Sequence, residues 1–340
     1  MAKKNGHKKN ILVLGGAGFI GSHICDALVK DNNVICVDNF ISGSQRNIDH
    51  LLREPNFVFL KEDLNTLTDL EKFTELERFD IKFYGIQEIY NLACPTSPKD
   101  FESRTLETVL ANSCALANAL NIAVKYKSKF LHFSTSTVYG SRSEADPVMK
   151  EDKFYPMDPL SPRGSYDEGK RFAETLVWTY KNKFGLDAKI LRTFTTFGPR
   201  MPLFQGHMIP DFIVAALDNQ PLVIYGDENF TQTLCFVTDV ISAALKMMAS
   251  AESGPFNIGN PQEVKLSEIA KKIIAKTGSA SKVKHEKPLL FLSRLGVPDI
   301  TLAKNKLEWF PVITLENGLD LTIEYAQANK VVVDWQKQTF

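Results

Sequence analysis

The sequence predicts an α/β protein built on a doubly wound parallel sheet, with a smaller lobe toward the C-terminus. Short β-branched and aliphatic runs alternate with segments of helical periodicity from Ile11 to Leu191, the pattern of strands joined by crossover helices. A glycine-rich turn links the first such run to the first helix, at the end of a parallel sheet where ligands bind. From Thr195 onward the alternation gives way to loop-rich sequence, so a second, differently built lobe is expected there.

Taken in order, Ile11 to Leu14 reads as a buried strand, and Gly15-Gly16-Ala17-Gly18-Phe19-Ile20-Gly21 follows at once. Gly15, Gly18 and Gly21 form GxxGxxG, and Ile20, Ile24 and Leu28 then recur at helical spacing. Strand, tight turn and helix in this order make a Rossmann-type dinucleotide site. The turn lets backbone approach a pyrophosphate, which sits on the free N–H groups and positive dipole end of the helix. The second strand, Val34 to Val37, ends on Asp38. A carboxylate there accepts hydrogen bonds from ribose hydroxyls and repels a 2′-phosphate, so NAD is expected rather than NADP. Phe57 to Leu60 is a third strand, and Asp63 beyond it is placed to reach the adenine amine.

Glu88 to Ala93 reads as the fourth strand, entering a stiff loop Cys94-Pro95-Thr96-Ser97-Pro98, because proline fixes φ and cannot continue a ladder. One helix is expected from Leu106 to Tyr126, with Asn112 inside its apolar face as a structural hydrogen-bonder or a site residue. Phe130 to Phe133 is the fifth strand, and Ser134-Thr135-Ser136-Thr137-Val138-Tyr139-Gly140 leaves its carboxyl end. That hydroxyl cluster can hold a substrate alcohol or form a solvated turn.

Tyr166 and Lys170 then stand four apart at the front of a helix that runs on through Phe172, Leu176 and Tyr180, so both project from one face. A free phenol ionises near about pH 10, and an adjacent ammonium favours the phenolate; the pair is expected to act as a general base on a carbinol. Ala188 to Leu191 is the sixth strand. The domain reading is 1–194, with 234–260 returning to it, for the dinucleotide half. Residues 195–233 and 261–330 make the substrate lobe, with helices at Ile209–Leu217, Leu266–Lys276 and Leu315–Ala328, and 331–340 is a tail.

Composition narrows the partners. Forty basic residues balance forty acidic ones, which gives no reason to expect nucleic acid or an anionic membrane. Cys25, Cys36, Cys94, Cys114 and Cys235 are scattered and form no metal-type spacing, consistent with reduced thiols, a cytoplasmic protein and no metal. The basic start followed by ILVLGGAGFI superficially mimics a signal peptide, but the apolar run is short and broken by glycines, so a first strand is expected instead.

With these features assembled, the chain resembles the extended short-chain dehydrogenase/reductases that modify nucleotide sugars, and its motifs look most like those of the UDP-glucuronate decarboxylases. VDNFISGSQRNI at 37–48, YNLACPTSP at 90–98, PRGSYDEGKRFAETL at 162–176, FGPRM at 197–201, FNIGNPQE at 256–263 and PDITLAKNKLEW at 298–309 carry the likeness. The resemblance implies a tightly held NAD that takes hydride from the sugar C4 and returns it. It implies Tyr166 as base, Lys170 on the nicotinamide ribose, Thr135 sharing the substrate hydroxyl, and Phe19, Ile20, Asn39, Gly43, Leu64, Leu92 and Ala93 as further cofactor contacts. Pro95, Ser136, Thr137, Thr195, Arg200, Tyr225, Gln232 and Arg294 fall on the substrate side, and a homodimer packed through a four-helix bundle is implied as well.

The chain departs from that pattern. The family's STSEVYG is STSTVYG here, with Thr137 for the glutamate. Thr195 replaces an asparagine, Gln232 an arginine and Gly296 another arginine, with Arg294 nearby. The redox half is kept and the substrate half rewritten, which favours epimerisation of a nucleotide-linked sugar. The alternatives are decarboxylation of UDP-glucuronate to UDP-xylose, and an NAD-binding protein without catalysis.

Overall fold

The computed structural model describes residues 8–143, 145–226, 229–287 and 296–329. Asn10–Leu14 (β1) runs into helix α1, Phe19–Leu28, and Asn33–Asp38 (β2) and Phe57–Lys61 (β3) follow. After the one-turn helix α2, Ile81–Tyr84, come Glu88–Asn91 (β4), then α3, Asp100–Ser103, α4, Thr105–Asn112, and α5, Cys114–Tyr126. Lys129–Thr135 (β5) and the short Val148–Met149 (β6) precede the long α6, Gly164–Phe184, and Ala188–Thr193 (β7). The remainder is shorter: Thr196–Phe197 (β8), α7 Met208–Leu217, Leu222–Tyr225 (β9), Thr231–Thr233 (β10), Cys235–Phe236 (β11), α8 Val237–Ala249, Phe256–Ile258 (β12), Glu263–Lys265 (β13), α9 Leu266–Thr277, Val283–Glu286 (β14), Val297–Pro298 (β15), α10 Thr301–Leu307 and α11 Leu315–Ala328.

Seven strands form one parallel sheet in the order β12-β7-β5-β4-β1-β2-β3. The order reverses beside β1, so the first crossovers leave in opposite directions and open a crevice at the carboxyl ends of β1 and β4. Strand periodicity divides the core: Ile11 and Val13 pack with Ile24, Leu28 and the α8 residues Val240 and Ala244 on one face. Leu12 and Leu14 pack with Leu116, Leu120, Ala173 and Val177 on the other. Alternate β1 residues thus meet different helix layers, as a sheet buried on both faces requires.

The six expected strands are present, and β12 joins them as a seventh beside β7, Phe256 pairing with Leu191. The helix expected from Leu106 to Tyr126 is two helices. Ser113 between them has φ −122° and ψ −88°, and its hydroxyl donates to the Val109 carbonyl at 2.7 Å. Serine bonding back to the preceding turn in this way competes with the helical ladder. Outside the main sheet, β10 pairs with β13, β8 with β11, β9 with β14 and β6 with β15, each as a two-stranded ladder. All five cysteines are free. Among the described residues no helix is long and apolar enough to cross a membrane.

Candidate active site

The carboxyl ends of β1, β4 and β5 open into a cleft of about 560 Å³. At one end is the glycine turn. Gly15 has φ +76°, and a Cβ there would sit 2.8 Å from the Ala93 backbone nitrogen. A Cβ on Gly21 would fall 2.1 Å from the Gly15 carbonyl oxygen. Both positions exclude a side chain for reasons of backbone approach. No side chain caps the first turn of α1, whose N-cap is Gly18, so its free N–H groups face the cleft with the dipole behind them.

Gly15, Gly18, Phe19, Ile20, Gly21, Asp38, Asn39, Asp63, Leu64, Leu92 and Ala93 all line the cleft. Gly43 does not; it packs against the Asp38 carboxylate, 3.0 Å from a built Cβ. Asp38 is itself anchored, accepting from the Ala17 N–H at 3.0 Å and the Phe40 N–H at 2.8 Å. Burial nevertheless pushes its pKa up, against the downward pull of those two bonds. Each oxygen keeps a free lone pair, and the uncapped turn with this acid beyond it fits a dinucleotide that carries a ribose 2′-hydroxyl.

At the other end, Thr135, Ser136, Thr137, Tyr166 and Lys170 meet on the cleft wall. The Thr135 hydroxyl accepts from the Thr137 N–H at 3.3 Å and lies beside Tyr166 on the cleft wall, where it favours the phenolate. The Thr137 hydroxyl is buried and has no partner among the described residues. A polar group left open on a cleft wall is a place for a ligand atom. Lys170 Nζ donates to the Phe133 carbonyl at 3.0 Å.

The Tyr166 phenol is pushed up from its ordinary value rather than brought toward neutral pH, and Lys170 is not among the groups that shift it most. Burial raises it, Cys94 adds to the rise, and Thr135 and Arg163 oppose them. Desolvation of the phenolate outweighs the nearby positive charge. Asn112 is a structural hydrogen-bonder: its amide donates to the Thr108 carbonyl at 2.9 Å and to Cys94 Sγ at 3.2 Å.

The substrate-side expectations divide. Pro95, Ser136, Thr137 and Thr195 line the cleft. Gln232 stands behind it, accepting from the Thr195 hydroxyl at 3.1 Å. Arg200 turns away to pair with Asp26 of α1 at 2.7 Å, because an acid on the neighbouring helix is the nearer counter-charge. Tyr225 is the exposed last residue of β9 and does not line the cleft, and Arg294 lies outside the described residues.

Two residues that sequence reasoning passed over belong to the wall. Arg163, the N-cap of α6, lies 4.6 Å over the Phe101 ring and pairs with Asp167 at 3.2 Å. His207 Nε2 meets the Ser97 hydroxyl at 3.1 Å, and burial pulls its pKa down to about 4. Arg163 adjoins the Tyr/Lys motif, a signal that was available; His207 sits in an irregular loop with none. Among the described residues no cluster of histidine, cysteine, aspartate or glutamate is suited to a metal.

Residues 11–259 match the profile of the NAD dependent epimerase/dehydratase family. The chain is 35% identical over 319 residues to UDP-glucuronic acid decarboxylase 1 of Xenopus tropicalis, covering 94% of this chain and 72% of that one. Among solved structures, UDP-glucuronic acid 4-epimerase from Bacillus cereus, in complex with UDP-glucuronic acid and NAD, superposes with a TM-score of 0.81 at 29% identity, over 94% of this chain and 99% of that one. UDP-glucose 4-epimerase from Thermotoga maritima, with UDP-glucose, gives a TM-score of 0.82 at 27% identity, over 94% and 99%.

Proposed function

Because the chain belongs to the NAD-dependent epimerase/dehydratase family, we propose that it oxidises the C4 carbinol of a nucleotide-linked sugar and reduces the ketone again from the other side, as a 4-epimerase. The observation that carries this reading is the pairing of Tyr166, Lys170 and Thr135 on the cleft wall with a threonine, Thr137, where decarboxylation and dehydration call for a carboxylate. NAD, when bound, supplies the hydride acceptor and donor and a cationic ring that favours the phenolate.

Everything else falls to the chain's own groups. Gly15, Gly18 and Gly21, with Phe19 and Ile20, hold the pyrophosphate, and Asp38 and Asn39 hold the adenosine ribose. Asp63 and Leu64 lie at the adenine, Leu92 and Ala93 under the middle of the dinucleotide. Lys170 keeps two donors beyond its bond to Phe133, enough for the nicotinamide ribose. Tyr166 takes the C4 hydroxyl proton while Thr135 shares that oxygen, and it returns the proton at the end of the cycle. The open Thr137 hydroxyl binds a sugar oxygen without offering a base for a neighbouring carbon. Residues 195–233 and 261–330 serve as the substrate lobe, Thr195 reaching in with Gln232 behind it. Leu106 and Val109 of α4 and Phe172 and Trp178 of α6 are exposed, which supports a homodimer formed through these helices as a four-helix bundle; scattered free thiols support a cytoplasmic location.

Decarboxylation of UDP-glucuronate is the second reading, supported by the names of the relatives at 35% identity. Incubation with UDP-glucose, UDP-N-acetylglucosamine and UDP-glucuronate, followed by chromatography of the sugar nucleotides, decides between them. The expected product is a C4 epimer, lost by about 10²–10⁴-fold in Tyr166→Phe. Prompt UDP-xylose from UDP-glucuronate would overturn the ordering, no conversion by either protein would leave a binding protein, and equal conversion by both would remove Tyr166 from the chemistry.

A further inference from the structure

The face of α6 that carries the reacting groups has a third member. Tyr166, Lys170 and Glu174 stand at successive fourth positions, so all three point one way. Each meets one of three consecutive residues at the end of β5. Lys170 donates to the Phe133 carbonyl at 3.0 Å, the Ser134 hydroxyl donates to Glu174 at 2.6 Å, and Tyr166 meets Thr135 on the cleft wall. Glu174 is also gripped from β7, Arg192 donating through Nε at 2.9 Å and Nη2 at 2.7 Å.

The contacts continue away from the cleft. Arg192 Nη1 donates to the Tyr139 hydroxyl at 2.9 Å and to the Glu151 carbonyl at 3.0 Å. Tyr139 donates to Asn257 at 2.7 Å, and the Asn257 amide donates to the Met149 carbonyl at 2.9 Å and the Asp299 carbonyl at 3.2 Å. Met149 pairs with Pro298 in the β6–β15 ladder. Arg192, Tyr139 and Asn257 are buried, where such a network is rigid because water cannot replace its bonds.

We propose that Glu174 and Arg192 are positioning residues for the reaction, fixing the seating of α6 on β5 and so the approach of Tyr166 to the oxygen that Thr135 holds. The reason lies in what the other two anchors must do. Tyr166 and Lys170 stand on the cleft wall and must turn to ligands as these arrive; Glu174 and Arg192 are not on that wall, so their clamp stays. It is then the fixed point from which the phenol is aimed, and a misplacement of about 1 Å is enough to cost about 10²-fold in rate. The proposal rests on Tyr166 being the reacting group.

The test replaces both charges together, Glu174→Leu with Arg192→Met, since an apolar pair of similar volume leaves stability near its starting value. Two readouts are taken: kcat and KM on the epimerase substrate, and the tyrosinate absorbance difference between each protein and its Tyr166→Phe version over a pH titration. The expected result is an unchanged melting temperature within a few degrees, kcat lower by about 10–100-fold, KM within about threefold, and a displaced Tyr166 titration. A folded double variant with parental kcat and parental titration overturns the proposal. The titration needs no substrate. An inactive parent protein refutes the epimerase reading, and with it the positioning role, whereas an active parent whose double variant keeps parental kcat and titration refutes the positioning role alone. Should the double variant not fold, Ser134→Ala removes only the β5 side of the clamp; a several-fold fall in kcat and a moved titration support the proposal, and parental values overturn it.

Discussion

At Tyr166 the enclosure that protects a reaction from water works against the form the reaction needs. Burial and Cys94 hold the phenol protonated, and Thr135 and Arg163 recover part of the difference. Asp211 on α7 shows the same conflict in a form that can be measured. Burial raises its carboxyl from the ordinary range to about 6, although the Phe204 N–H donates to it at 3.1 Å. Folding therefore favours its protonated form. Its stabilising effect is complete below the unfolded value near pH 3.8 and is lost as pH rises through about 6. Above that pH the folded protein carries a partly desolvated charge. Asp211→Asn removes it while keeping an acceptor for Phe204. The variant is expected to be more stable by about 1–2 kcal/mol at pH 7.5 after solvent screening. That gain should vanish near pH 4 in denaturant titrations, and a gain independent of pH would refute the account.

At the scale of elements, what the sequence could reveal follows from how local each cause is. Strand runs and the glycine turn depend on neighbours in the chain, and they stand where periodicity puts them. Asp38 and the Tyr166–Lys170 spacing are equally local. The break at Ser113 was hidden because apolar periodicity continues across it; the cause is one serine hydroxyl turned back on Val109. Arg200 and Gln232 were misjudged for the opposite reason. Their surroundings come from α1 and from Thr195, contacts that chain order does not announce. The turn also gives the sharpest test at this scale. In Gly21→Ala the new methyl would need the space of the Gly15 carbonyl, so the turn must open. NAD affinity measured by calorimetry is expected to fall by at least about 10²-fold, some 2.7 kcal/mol. Retained affinity would show that the turn does not form the pyrophosphate seat.

Across the whole molecule, the exposed apolar residues on α4 and α6 face away from the sheet, and Trp178 and Phe172 are each 51% exposed. Large aromatic side chains left open on adjoining helices are what the proposed homodimer would cover. Trp178→Lys places a charge there and is expected to convert a dimer to a monomer at micromolar concentration in light scattering, with the melting temperature little altered at equal monomer content. A wild-type monomer would remove the reason for the exposure.

The two sides of the cleft are stitched together at several points. The Cys235 N–H donates to the Thr195 carbonyl at 2.9 Å, β8 runs beside β11, and the Ser97 hydroxyl meets His207 at 3.1 Å across the mouth. Jaws sewn at both ends are poorly made for snapping shut. On the proposed epimerase reading, a hexose that presents first one side of its ring and then the other to a single phenol would have to do the turning over itself, within walls braced at these points.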